Sequence, residues 1–255
     1  MSTDTSPAAT EPFGYNVPVV YEKLRSMILE GGIAPGKVTS QSELSSLVSA
    51  SRTPVREALR MLQNEGLVVL SANRRVRIAD TSVEELEGLQ VMRVMLEGAA
   101  VRHTVPRLLR EELAQLEGLL AQMEDYLQDR DFERHEIPHR AFHRLLVSRA
   151  TETELRSIST LYDHMIRYRK MNAAVEDSDD YRVRLAEHRA IADAARLGDA
   201  SAAAFALVGH YLRTVNAVVA DISPGYVPER LLIASQLVAP GLDWSPDAGP
   251  LISEH

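Results

Sequence analysis

The chain has 255 residues, no cysteine, and a net charge of −8 from 28 basic and 36 acidic side chains. That length allows two hydrophobic cores, and the lack of cysteine excludes disulfides and thiolate metal sites, in keeping with a reducing cytoplasm. Residues 1–16 lack the basic and apolar segments of a secretion signal and read as a disordered arm. No apolar run approaches the ~20 residues of a membrane span.

From Val19 to Leu29 the apolar residues Val20, Leu24, Met27 and Ile28 recur at helical spacing, and Gly31, Gly32, Pro35 and Gly36 end the helix. Ser40-Gln41-Ser42-Glu43 is a capping box that opens a second, short helix over Leu44 to Val48. A third begins near Ser51-Arg52-Thr53-Pro54, with Thr53 as N-cap and Pro54 where a missing N–H is harmless. Its apolar row is Val55, Leu59 and Leu62, and Arg52, Arg56 and Arg60 fall on another side. An arginine stripe at a helix N-terminus suits phosphates and guanine edges alike, although three arginines can also be no more than a solvated face. Leu67-Val68-Val69-Leu70, Ser71 to Arg75 and Val76-Arg77-Ile78 read as a two-stranded hairpin with a basic tip at Arg74 and Arg75. Three helices and such a wing make a winged helix-turn-helix.

The stretch IAPGKVTSQSELSSLVSASRTPVREALRMLQNEGLVVL resembles the DNA-binding domain of the GntR family of bacterial transcription regulators, over about residues 17–80. The resemblance implies that Arg52, Thr53 and Arg56 contact DNA. Three positions depart from the family pattern: Ser42 replaces a phosphate-binding arginine, Ser49-Ala50 the usual Gly-Val of the turn, and Arg75 the wing glycine. The first weakens phosphate contact and the third can restore it. Charge is divided accordingly: residues 19–78 carry nine basic and five acidic side chains, +4, and the remainder carries −12. A basic module on an acidic body suits a selective DNA binder with modest salt-driven affinity.

Beyond Asp80 the pattern stays helical. Ser82 opens a helix with Leu86, Leu89, Arg93, Leu96 and Ala100 on one face, ended by Thr104 and Pro106. Leu109, Leu113, Leu116, Leu120, Met123 and Leu127 mark the next. Pro138 implies that the helix over 131–148 is kinked or starts late. Thr151 caps a helix to Met171, Ser178 or Asp179 opens one that ends near Gly198, and Asp199 caps a last long one to about Val219. The expected fold is mainly α: a winged helix-turn-helix (17–80), then an antiparallel all-α bundle for effector binding and dimerisation (81–221). A Pro-rich tail (222–255) follows, in which only Glu229 to Leu237 is expected to be helical.

His135, His139 and His143 share one helix face at i, i+4, i+8, the spacing that directs two imidazoles to one metal, and His188 and His210 come from later helices. Core polar packing is the alternative for each of them. MRVMLEGAAV, AFHRLL and EHRAIADAARLGDASAA resemble the FCD ligand-binding domain of the FadR-type branch of the same family, over about residues 82–221. That resemblance implies a divalent metal on His143, His188 and His210, with His139 where the family has an aspartate. All-nitrogen ligation favours Zn or Ni. The resemblance also turns Arg93 toward a small organic acid effector, although a salt bridge to Glu97 at i, i+4 is an equal claim on it.

The chain thus reads as a homodimeric regulator of a palindromic double-stranded operator. A direct metal sensor is the second reading and a histidine-metal enzyme the third. The third is disfavoured because no carboxylate base or nucleophile stands beside the histidines in a known motif. Effector, operator, and repression versus activation are not written in the sequence.

Overall fold

The computed structural model describes residues 16–71, 75–171, 181–245 and 249–252. The chain forms two compact units, 1–80 and 81–255.

In the first unit α1 (Val17–Leu29) is capped by the Asn16 side chain. Then β1 (Val38–Ser40) leads into α2 (Gln41–Val48), where Ser40 and Glu43 form both bonds of the capping box. α2 stops at Ser49, whose φ of 57° is left-handed. α3 (Arg52–Asn64) has Ser51, not Thr53, at its N-cap. Pro54 is therefore the third helical residue, still among the N–H groups that have no partner within a helix. The wing is larger than the expected hairpin: β2 (Val68–Leu70) and β3 (Arg75–Ile78) are joined by β1, in the antiparallel order β1-β3-β2. Three residues before a helix carry too little pattern to announce a strand. Val20, Leu24, Ile28, Leu44, Val55, Leu59, Leu62, Leu67, Val76 and Ile78 close the core. Glu65 ties the C-terminal end of α3 to α1, accepting from Tyr21 Oη at 2.9 Å and Arg25 Nε at 2.9 Å.

The second unit is a helical bundle: α4 (Val83–Thr104), α5 (Arg110–Gln128), α6 (Phe132–Leu146), α7 (Glu152–Met171), α8 (Tyr181–Arg196) and α9 (Ala200–Ile222). The expected opening of α8 at Ser178 or Asp179 lies outside the described residues, as does the arm 1–15. α6 does not start late. It begins at Phe132, capped by Asp131, and runs through the buried proline. α9 is long and apolar enough to span a membrane by composition, contrary to the sequence reading, but 56% of that window is buried inside the bundle. It is a core helix, packed on α4 and α8.

In the tail the helix expected over Glu229 to Leu237 is present, and the hairpin after it is the correction. Described residues beyond 222 fold as α10 (Glu229–Val238) and a hairpin of β4 (Leu242–Ser245) and β5 (Gly249–Ile252). α10 packs along α4 so closely that a Cβ on Gly98 would lie 2.4 Å from Val238 Cγ1. Its start is pinned by Glu87, a buried carboxylate that accepts from Arg230 N, Nε and Nη2, Leu231 N and Tyr226 Oη at 2.6 to 3.3 Å. One anion that saturates the exposed end of a short helix explains why prolines did not leave this segment without structure.

Burial pushes the Glu87 carboxyl up, but its donors, Arg230 and Tyr226 foremost, outweigh that and hold it below the usual carboxylate range. A lowered folded pKa means stability present above the unfolded value, about 4.3, and lost as pH falls through the folded one. Glu87→Ala is expected to lower unfolding stability at neutral pH by about 2–3 kcal/mol. The gap between wild type and Glu87→Gln in urea melts should narrow only below about pH 4.

Candidate functional site

In the first unit α3 buries Val55, Ala58, Leu59 and Leu62 fully, so Arg52, Thr53, Arg56 and Arg60 are left exposed on its other side. Arg52 Nη2 lies 3.5 Å from Ser42 Oγ on α2. Arg56 and Arg60 lean on Glu57 at 3.4 and 3.3 Å. Such exposed pairs are weak and are readily exchanged for other anions. Arg75 opens β3 with its side chain exposed, and Arg77, two residues on and so on the same strand face, pairs with Asp80 at 3.8 Å. Arg74 lies outside the described residues.

In the bundle the structure brings His139 and His143 of α6, His188 of α8 and His210 of α9 together. All four are buried, and one nitrogen from each lies within 4.8 Å of the others. His135 stacks on His139 with ring centroids 5.4 Å apart but is not one of the four, and His164 is buried separately in α7.

The partners of these rings fix which nitrogen is free. His188 Nδ1 is 2.7 Å from the Arg184 carbonyl, which can only accept, so Nδ1 carries the proton. His210 Nδ1 faces the Glu187 carboxylate at 3.0 Å with the same result. Tyr162 Oη donates to Glu136 Oε1 at 2.6 Å and must therefore accept from His139 Nδ1, also at 2.6 Å. Arg169 approaches that nitrogen only at 3.4 Å and gives its 3.0 Å bond to Glu136. In the neutral form each of these three rings has its lone pair on Nε2. His143 is the adjustable member: its Nε2 is 3.3 Å from His188 Nε2, and its Nδ1 is 3.5 Å from Tyr211 Oη. With its proton on Nε2 it donates to His188, and with the proton on Nδ1 it offers a fourth lone pair.

Burial, followed by the neighbouring imidazoles and arginines, holds His139 and His143 well below the usual histidine value. For His188 burial is again the largest cause, then His210. Burial likewise lowers His135 to about 4. Neutral imidazoles are the form that ligates metal.

Three of the four rings, all but His188, are also backed, directly or through a tyrosine, by a carboxylate that has its own arginine. Glu97 accepts from Arg93 Nε at 2.7 Å and from Tyr211 Oη at 2.6 Å, Glu136 is held by Arg169, and Glu187 is held by Arg213. Arg93 also donates to Tyr211 Oη at 2.7 Å, with Cζ 4.1 Å from that ring's centroid, and Tyr211 stacks on His143. Arg93 therefore does form the salt bridge to Glu97 and reaches the histidines through Tyr211. Tyr162, Glu136, Arg169, Glu187 and Tyr211 escape the sequence reading. Glu136, one turn before His139, Glu187, next to His188, and Tyr211, next to His210, stood close enough in sequence to be suspected.

A winged helix-turn-helix joined to a helical bundle with a buried polar centre is the architecture of a transcription regulator. The model for bacterial regulatory proteins of the gntR family matches residues 17–78, and the FCD domain model matches residues 89–213. A helix-turn-helix regulator from an unstable DNA locus of Streptomyces ambofaciens is 30% identical over 209 residues, 77% of this chain and 81% of that one. The transcriptional repressor NanR of Cronobacter sakazakii is 29% identical over 75% of this chain and 81% of its own, and the regulator YdhC of Bacillus subtilis 25% over 75% and 85%. Among solved structures, E. coli McbR/YncC has the same fold, with a TM-score of 0.69 at 20% identity, covering 79% of this chain and 96% of that one. This chain belongs to the GntR family of bacterial transcription regulators and carries an FCD domain.

The Arg93–Glu97 pair is desolvated on both sides, with side chains 6% and 1% exposed. Arg93→Ala should cost about 3–5 kcal/mol, because it leaves a carboxylate buried without its cation, whereas replacing both residues by leucine should cost far less. A double-mutant cycle in chemical denaturation checks this; additive losses would mean that the pair is not coupled.

Proposed function

We propose that the helical domain holds a divalent metal, zinc or nickel, on His139, His143, His188 and His210, and that this metal takes part in sensing a small carboxylic acid. The observation that carries the reading is the set of fixed tautomers, which commit three Nδ1 atoms outward and leave Nε2 atoms facing one another. Two ligand nitrogens on one zinc lie about 3 Å apart, and the His143 and His188 Nε2 atoms are 3.3 Å apart. The residues fit the ion. Imidazole nitrogen suits zinc and nickel over harder cations, and Glu136 stands two hydrogen bonds behind His139, through Tyr162. When bound, the metal supplies a Lewis-acidic contact for a carboxylate.

Charge supports an anionic effector. The three carboxylates around the histidines are each offset by an arginine, so a dication on four neutral rings keeps its charge of +2. Arg93, already paired with Glu97, stands behind His143 through Tyr211 and adds no net charge. Four imidazoles can also close a tetrahedral ion with no place for an effector, and in that case the metal is structural or is itself the signal.

On the DNA side, Arg52, Thr53 and Arg56 read the operator from α3 while Arg74 and Arg75 hold phosphates from the wing. The protein binds a palindromic site as a homodimer joined through the bundle, because one winged domain buries too little surface for tight specific binding. The NanR relatives, described as repressors, favour repression.

His188→Ala should lose bound metal on elemental analysis and lose the response of operator binding to small acids, with the helical circular dichroism kept. A wild type that carries no first-row metal and takes up neither zinc nor nickel defeats the reading. Metal that alone switches operator binding, with acids inert, makes the protein a metal sensor.

Arg56→Ala should weaken operator binding by about 1–3 kcal/mol and relax preference at one base per half-site. Arg75→Ala should weaken all sequences alike and flatten the salt dependence. Gel shifts across a salt series separate the two, and wild-type affinity for Arg56→Ala would sink the docking.

A further inference from the structure

Gln90 stands out in the interior of the bundle. It is completely buried on α4, and among the described residues neither its Oε1 nor its Nε2 has a hydrogen-bond partner. The polar side chains of α4 around it are saturated: Glu87, one turn before, has five donors, and Arg93, one turn after, has Glu97 and Tyr211. Gln90, Arg93 and Glu97 follow one another at i, i+3 and i+7, so they share one helix face. That face leads through Tyr211 to His143.

A buried amide without partners costs about 1–3 kcal/mol, and a leucine of similar size would cost nothing of the kind. A glutamine at such a position, unanswered among the described residues, can bond a group that comes from outside the chain. The carboxamide offers a donor and an acceptor side by side, which a hydroxyl satisfies in both directions. The distance along α4 from Gln90 to Arg93 is about 5 Å, close to one helical turn.

We infer that Gln90 is a specificity-determining residue of the effector site, which recognises a hydroxyl on a small carboxylic acid whose carboxylate lies toward the histidines. The inference rests on the carboxylate reading above. It gives the site a way to tell a hydroxy acid from its deoxy counterpart, because a site built to bond a hydroxyl leaves its own polar group unpaired when the hydroxyl is missing.

The test uses the full-length protein supplied with zinc, with malate and succinate as probes, since these two acids differ by a single hydroxyl. Thermal melts of wild type and Gln90→Leu are recorded without acid and with each acid at equal millimolar concentration. Without acid, Gln90→Leu should melt above wild type, because an unpaired amide has been removed. Malate should raise the wild-type melting temperature more than succinate does, and the two acids should act equally on Gln90→Leu. If both acids stabilise wild type to the same extent, the carboxylate reading stands and the role of Gln90 is overturned. If neither acid acts on wild type, both readings fall. A Gln90→Leu protein that melts below wild type without acid, or that still prefers malate, shows that Gln90 is a packing residue.

Discussion

The helical domain depends on how it neutralises charge away from water. A lone ion in a protein interior is penalised by several kcal/mol or more, and pairing offsets this only when geometry and further hydrogen bonds are good. The bundle meets that condition three times around one centre, with Glu97 and Arg93, Glu136 and Arg169, and Glu187 and Arg213. Each pair draws its two residues from helices that must be in register for the contact to exist, except Arg93 and Glu97, which are one turn apart on α4. That pair is instead locked to α9 by Tyr211. The pairs therefore specify the arrangement of α4, α6, α7, α8 and α9 as much as they stabilise it.

With those charges satisfied, four imidazoles can remain neutral and point inward. Their outward nitrogens are held by a carbonyl, a carboxylate and a phenol, groups that leave no freedom in the tautomer. Such outer partners orient a ligand and raise its basicity. The fourth ring, His143, lacks a short outer bond and can shift its proton between its two nitrogens. A centre with three fixed members and one adjustable member can exist in two states, which is what a switch needs.

The winged unit follows a different economy. Its core is largely apolar, the arginines of α3 are exposed, and the ion pairs on α3 are weak surface pairs. What it presents outward is one side of α3, on which Arg52 and Arg56 are exposed.

Much of this was legible in the sequence because it is local. Helical spacing gave α1, α3, α4 and α5, the Ser40 and Glu43 capping box gave the start of α2, and i, i+4 spacing put His139 and His143 on one face. The family resemblance added His188 and His210, which no local pattern connects to α6. What the tertiary structure decided is non-local. β1 is a strand only because β3 lies beside it, β4 and β5 are strands because they pair with each other, and the start of α10, a helix already expected, is held by Glu87, more than 140 residues earlier in the chain. Arg93 had two equal claims on it until burial beside Glu97 and Tyr211 showed that it meets the first while standing next to the second. Glu187 precedes His188 in sequence yet bonds His210, since adjacent residues on a helix diverge and only the packing of α8 on α9 chooses which ring each one meets.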